Sequence, residues 1–455
     1  MELPLEIKQA YRMGKRKFSW IEPLDKIESI VDFFYQGEQK YNQTRFFWET
    51  PDKALTLVGI EPLVEILTPT QDEQLLREEM QKITKDVWCN YPKEQNGYFF
   101  LGGLPFDKKK KAKKIWGELA SGYFFIPKIL IKKIQDQYFV AYNFQCHDYE
   151  NLNEKWQEVH QLFYRLQQEP VESSKSHMLE QKELRVSEWL KLVAQTVQEI
   201  KTSPVLNKVV LARELAIRKS QPISLNETVK QLLREQKNTY IFALEKDGHK
   251  FVGATPERLL CATENTFATA CVAGSIARGK NESEDFRLGQ QLLEDQKNQQ
   301  EHQYVVRYIE QILGHYTQEA LPKRPAILLK NQDIQHLFVP FSGTRTENAS
   351  FLEAVFALHP TPALGGVPQG SALEWISKKE SAGRGMYGAP IGWIQPQSDS
   401  GEFVVAIRSA IIRENQALLY AGCGIVEDSI PKLEQEETKI KFRPMLRAIG
   451  GEIEC

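Results

Sequence analysis

Residues 240–255 read YIFALEKDGHKFVGAT. Two apolar runs flank Asp247-Gly248, a dipeptide that tolerates the positive φ angles of a two-residue hairpin loop, so the stretch predicts two antiparallel strands. The pattern extends in both directions. KVVLARELAI at 208–217, ENTFATACVAGSIARG at 264–279, GEFVVAIRSAIIR at 401–413 and ALLYAGCGIVE at 417–427 each read as a strand. Helical periods are interleaved with them. In SEWLKLVAQTVQEI the apolar positions Trp189, Leu190, Val193, Val197 and Ile200 fall on one helical face. Ser224/Glu227, Ser350/Glu353 and Ser371/Glu374 have the spacing of capping boxes, and residues 283–313 read as one long amphipathic helix. Ser429 and Pro431 open a last helix, since proline is tolerated in a first turn. Strands able to pair antiparallel, mixed with helices, predict an α+β fold.

Residues 1–150 are rich in aromatics and lysine and read as short strands and loops, with GYFFLGGLPFD at 97–107, KKKKAKK at 108–114 and SGYFFIPKILIKKI at 121–134. The polar stretch 148–185 is the candidate internal boundary. The expected division is therefore a strand-rich part, 1–185, contributing to the same sheet core, and a catalytic region, 186–455.

The chain has 455 residues, of which 42% are hydrophobic and 26% charged, with a net charge of −2. That balance gives no global field calling for nucleic acid or an anionic membrane. The N-terminal stretch is not read as a secretory signal, and no run reaches the length of a membrane span. The six cysteines form no CxxC pair and the eight histidines no HExxH, which favours a reduced, cytoplasmic protein.

Several residues are candidates for chemistry. Lys208 stands at the mouth of an apolar strand, where an ammonium either marks a solvated end or acts as a reactive group. Glu257, in FVGATPERLL, follows a strand; it can do acid/base work or pair with Arg258. Glu434, Glu437 and Lys441 lie within about 60° on one helical face, which suits either a cation with an anion or a surface charge stripe. Glu301 could join Glu437 around a hard cation such as Mg²⁺, which needs only one or two protein carboxylates. Arg408, inside an apolar strand, needs an anionic partner, from a substrate or from a glutamate. The glycine stretches at 273–279, 359–366, 381–390 and 421–425 permit close backbone approach to a ligand, but none is a Walker loop or GxGxxG. The lysine run is read chiefly as a solvated loop, with nucleic-acid or membrane-surface binding as the lesser alternative.

KVVLAR, GATPERLL, AGSIARG, KNQQEH, QHLF, LHPTPALGG, RGMYGAPIGW, AIRSAII and AGCGIVEDSIPKLEQEETKIK, in this order across 208–441, resemble the chorismate-utilising enzymes, the family of the anthranilate synthase large subunits. Within that family the stretches are most similar to the menaquinone-type isochorismate synthases. The resemblance implies one α+β fold with a large layered antiparallel sheet flanked by helices. It implies that Lys208 is the general base activating water for attack on C2 of chorismate, and that Glu257 is the general acid protonating the departing C4 hydroxyl. A lysine can serve as base where burial or nearby positive charge lowers its pKa. Glu301 and Glu437 match Mg²⁺ ligands, with Glu434 close by. Lys441, Arg408, Tyr387, Gly422 and Gly424 match the surroundings of the enolpyruvyl carboxylate, and Ser275 and His336 match polar groups lining the pocket.

Lys208, and CVAGS where aminodeoxychorismate synthases carry PIKGT, argue against an ammonia-using member with a glutaminase partner. Ala363 stands where salicylate synthases tend to have threonine, and favours stopping at isochorismate. Asn298 departs from the glutamate that salicylate synthases tend to have there, and Ser275 from the commoner threonine. The expectation is a monomeric, Mg²⁺-dependent isochorismate synthase serving quinone or siderophore synthesis. The alternatives are a salicylate synthase, which also eliminates pyruvate, and a non-catalytic anion- or surface-binding protein.

Overall fold

A computed structural model describes residues 2–451 apart from 26–28, 41–43, 68, 71, 92–96, 108, 168–175 and 322–323. Cys455, Lys108 and most of QEPVESSKSH therefore lie outside the described residues.

The 240–255 hairpin forms as Tyr240–Lys246 and His249–Thr255, with Asp247 at φ 49° and Gly248 at φ 76°. From it a continuous antiparallel ladder runs both ways. On one side Tyr240–Lys246 pairs with Arg45–Glu49, which pairs with Leu55–Leu67, then Tyr123–Ile134, Gln137–Gln145 and Lys17–Leu24. On the other side His249–Thr255 pairs with Ser409–Arg413, then Gln416–Ile425, then Lys208–Lys219. The long strands Leu55–Leu67 and Tyr123–Ile134 also begin a second ladder. It continues through Phe100–Gly103, Pro390–Gln395, Ser400–Val405, Arg258–Ala262, Thr266–Ala277 and Ile334–Thr344. Strands from 17–145 and from 178–425 thus share one hydrogen-bonded network.

The strand period of two explains how the layers stack. In Arg45–Glu49, Phe46 and Trp48 face one aromatic core while Phe47 faces another; Phe242 and Leu244 alternate with Ile241 and Ala243 in the same way. In the second ladder Val404 joins the core of Phe46 and Trp48, whereas Phe403 and Val405 join a third core. One aromatic core is therefore common to both ladders, and each ladder turns its other face to a helical layer. Helices Leu152–Arg165, Leu225–Glu235 and Pro431–Ile449 cover one; Gln296–Leu313, Phe351–Leu358 and Gln369–Lys379 cover the other.

Local structure corrects five expectations. Residues 5–12, 30–40 and 73–84 are helical, and the strands at 55–67 and 123–134 are long rather than short. The predicted 283–313 helix is two, Glu282–Glu294 and Gln296–Leu313, because the Asp295 carboxylate accepts the Asn298 N–H and caps a new start. The Gln369–Lys379 helix opens at Pro368, which places Ser371 inside the first turn rather than at the cap. Ser224 and Ser350 do cap, accepting from the N–H groups of Glu227 and Glu353. Residues 401–413 are two strands broken at 406–408, where Arg408 takes φ 50°. Ser429 accepts the Val426 N–H instead of capping the last helix.

The ladder is pinned at its centre by a buried ion pair between cross-strand neighbours Arg45 and Glu245, at 2.6 Å. Arg45 also donates to Phe34 O and Asn226 Oδ1. Removing the carboxylate takes from a buried guanidinium the counter-charge 2.6 Å away. Glu245→Ala is therefore expected to lower stability by about 3–5 kcal/mol in urea denaturation; a loss below about 1 kcal/mol would show that the pair is dispensable.

Candidate active site

The strand Lys208–Lys219 lies between Gln416–Ile425 and, at its first residues, Gly366–Val367. Lys208 is thereby buried completely, and the solvated-end alternative fails. Its Nζ is 2.9 Å from Glu301 Oε1, an ion pair spanning the sheet and the Gln296–Leu313 helix. Gly424, across the strand pair, makes this contact possible: a Cβ there would lie 2.5 Å from Glu301 Oε1 and 2.7 Å from Lys208 Cε. Gly424→Ala is expected to leave the fold intact and to cost about 100-fold in turnover through displacement of the pair. Activity within twofold of wild type would mean that this geometry is unimportant.

Glu257 is 4% exposed and lines one cavity with Glu301, Ser275, His336, Ala363, Tyr387, Arg408, Gly422, Gly424, Glu437 and Lys441. Arg258 does not claim it; that guanidinium goes to Glu402 and the Tyr240 hydroxyl. Burial pushes the Glu257 carboxyl up to about 8, against the opposing pull of Lys208, Arg408 and Lys441. It therefore holds its proton at neutral pH. Glu301 behaves in the opposite way. Burial raises its carboxyl, but Lys208, Lys441 and Lys297 together hold it below the usual glutamate value.

Ser275 is aimed by a bulge. The pairing register of Thr266–Ala277 shifts between Ala273 and Ser275, with Gly274 at φ 79°. Asn298 Oδ1 accepts the Ser275 N–H at 3.1 Å, so this departure from the family pattern is used by the backbone. Ser275 Oγ lies 2.9 Å from His336 Nδ1, and Arg408 Nη2 lies 3.4 Å from His336 Nε2. Burial, reinforced by Arg408 and Lys441, keeps His336 well below the ordinary histidine value and hence neutral. Because Arg408 only donates, Nε2 is the acceptor and Nδ1–H points to Ser275. Arg408 has no carboxylate partner within salt-bridge distance among the described residues, so the internal Arg–Glu alternative also fails. It occupies the strand break at 406–408, and its left-handed backbone is of the kind found where a site imposes it.

The Pro431–Ile449 helix brings Glu434, Glu437 and Lys441 to one face. It is not a surface stripe: Glu434 is 1% exposed. Lys441 Nζ binds Glu437 at 2.6 Å and donates to Gly422 O at 2.9 Å. Glu434 stands behind the cavity, paired with Lys297 at 2.9 Å. Burial and the neighbouring Glu437 raise its carboxyl. Lys208 also lies behind the cavity surface, reaching it through Glu301. Sequence reasoning missed Lys297, although it adjoins Asn298, and the apolar wall of Val210, Leu364 and Ile407, whose residue types carry no chemical signal. Among the described residues no three His, Cys, Asp or Glu side chains form a ready metal cage. Glu301 and Glu437 supply hard oxygen donors to one cavity from helices of the two different layers. With Glu434 raised by its like-charged neighbour, this set fits a cation that keeps most of its own water.

A neutral carboxyl and two cations around one cavity, with a buried lysine behind its wall, carried on a layered antiparallel sheet, make a pocket whose chemistry suits a carboxylated ligand. The chain belongs to the chorismate binding enzyme family, whose model matches residues 6–450. It is 38% identical to isochorismate synthase MenF of Bacillus subtilis over 440 residues, 94% of this chain and 93% of that protein. It is 37% identical over 268 residues to the salicylate biosynthesis isochorismate synthase of Pseudomonas aeruginosa, covering 58% of this chain and 56% of that one. The fold matches the menaquinone-specific isochorismate synthase MenF of Escherichia coli with a TM-score of 0.80 at 22% identity, over 97% and 98% of the two chains. Anthranilate synthase component I of Streptococcus pneumoniae superposes with a TM-score of 0.70 at 18% identity, over 86% and 92%.

Proposed function

We propose that this chain is an isochorismate synthase. The observation that carries the proposal is the proton that burial keeps on Glu257 at the cavity wall, with Lys208 buried behind that wall and joined to it through Glu301. Lys208, in its neutral amine form, takes a proton from water as the water oxygen bonds to C2 of chorismate. Both ring double bonds shift, C1=C2 to C1=C6 and C5=C6 to C4=C5, and the C4–oxygen bond breaks with the electron pair leaving on oxygen. Glu257 gives that oxygen its proton, so water departs. Water is added and lost in equal amount, and both side chains regain their starting states by exchange with solvent. Arg408 and Lys441 hold the enolpyruvyl carboxylate, with Tyr387 and the Gly422 and Gly424 backbone close by. Ser275, turned by His336, offers its hydroxyl hydrogen to the substrate.

Glu301 and Glu437, supported by Glu434, would hold Mg²⁺, which when bound supplies positive charge to the ring carboxylate. Lys208 occupies the position that an ammonia-using relative keeps free of a base, which supports action without a glutaminase; the reading also takes the chain as a cytoplasmic monomer. No described helix is long and apolar enough to cross a membrane. The similarity to MenF over nearly the full length supports a product destined for menaquinone.

The test is product analysis by chromatography after incubation with chorismate, with Mg²⁺ or EDTA. Isochorismate formed only with Mg²⁺ is the expected result. Salicylate with equimolar pyruvate would move the chain to the salicylate synthases and remove the significance of Ala363. Unconsumed chorismate would refute the catalytic assignment.

A further inference from the structure

A second cleft, of about 340 Å³, lies on the far side of the strand that carries Lys208. It exists because that strand, paired throughout with Gln416–Ile425 on one edge, lacks a neighbour at the middle of its other edge. Gly366–Val367 pairs only with residues 208–209, and Met178–Glu183 only from Leu215 onward. Side chains fill the gap: Glu380 accepts the Ala212 N–H at 2.9 Å, and Arg384 donates to Val210 O at 2.8 Å and Leu364 O at 3.0 Å. Val210 and Leu364 also line the chorismate cavity. Tyr420 forms part of the cleft and stacks on Tyr387 of the cavity, ring centroids 4.9 Å apart. Two pockets thus share one wall.

The cleft has an aromatic and aliphatic body of Trp189, Leu192 and Tyr420 and a charged rim. Five of its residues are cationic and three anionic. Arg213, Arg185 and Arg384 are engaged with carboxylates, whereas Lys191 and Lys379 have no carboxylate partner among the described residues, the Lys379 ammonium resting 4.7 Å from the Trp375 ring centroid. Apolar walls with two such lysines suit a flat hydrophobic body bearing one negative charge. We propose that the cleft is a second binding site for a small planar carboxylate, and that its occupant acts on the chorismate cavity through the Glu380–Arg384 clamp.

The probe is 1-naphthoate, titrated calorimetrically into the full chain. Binding is expected with a dissociation constant on the order of 1 mM or tighter. In Lys208→Ala, used so that chorismate is not consumed, binding is expected to persist at saturating chorismate. The double substitution Lys191→Glu, Lys379→Glu is expected to weaken it about fivefold or more. In the wild-type protein naphthoate is expected to lower kcat/KM for chorismate at least twofold, as displacement of the clamp would through the shared wall, and to have no such effect on the double variant. Absence of heat, loss of heat on adding chorismate, or an unchanged constant in the double variant overturns the site. Binding without any change in kcat/KM overturns the coupling. The binding measurement stands apart from the catalytic assignment, whose failure would show as continued chorismate consumption by Lys208→Ala.

Discussion

Lys208→Ala is expected to lower kcat for chorismate isomerisation by about 1,000-fold, within the range lost when a positioned base is removed. The protein should remain folded, because the residue sits at the first position of its strand and the pairing of the rest is made by backbone groups. Alanine alone does not separate loss of a base from loss of the ion pair with Glu301. Lys208→Arg does. An arginine retains positive charge beside Glu301 but does not deprotonate in a protein, so it cannot accept a proton from water. Both variants are therefore expected to be inactive. If Lys208→Arg kept more than a tenth of wild-type kcat, the lysine would be acting as fixed charge and the assigned base would lie elsewhere.

Glu257→Gln is expected to cost about 100- to 1,000-fold in kcat, since an amide of the same shape cannot protonate the departing hydroxyl. The raised carboxyl adds a pH signature. Below about 8 Glu257 keeps its proton and can act as acid; above it the acid form is lost. The wild-type kcat/KM profile is therefore expected to fall on its alkaline side near pH 8, and the residual activity of Glu257→Gln is expected to lack that fall. Stability follows the same sign. A glutamate bound more tightly to its proton when folded than when unfolded contributes fully below the ordinary glutamate value, and its contribution is lost as pH rises to about 8. Glu257→Gln should therefore gain stability relative to wild type between pH 5 and pH 9. A constant difference across that interval would mean that the carboxyl is ionised in the folded protein, and the acid role would fall with it.

Much of the hydrogen-bonded network could be read from short stretches. Asp247-Gly248 specifies its hairpin because both residues accept positive φ, and alternating burial in 45–49 and 240–246 follows from the strand period alone. The helix break at Asp295 was hidden because apolar residues continue the helical period on both sides, while a single carboxylate bonded to the Asn298 N–H ends it. Arg408 looked like a strand residue for the same reason: its neighbours have strand character, and only the pairing partners of 400–405 and 409–413 separate the two strands.

The candidate site divides along a similar line. Residue type and order were enough to nominate Lys208, Glu257, Glu301, Arg408, Glu437 and Lys441, since ammonium, guanidinium and carboxylate groups declare their chemistry in the sequence. Their protonation and grouping were not legible there. Glu257 keeps a proton and Glu301 loses one although both are glutamates, because burial dominates at the first, while at the second Lys208 and Lys441 from distant segments join Lys297 of its own helix. Glu434 shares a helical face with Glu437, yet it is paired with Lys297 behind the cavity while Glu437 lines it. The cleft beside Trp189 had no sequence signal at all, since it arises from a neighbour that the strand does not have. Local propensity reaches a few residues along the chain; electric field, burial and empty space are set by groups that only folding brings together.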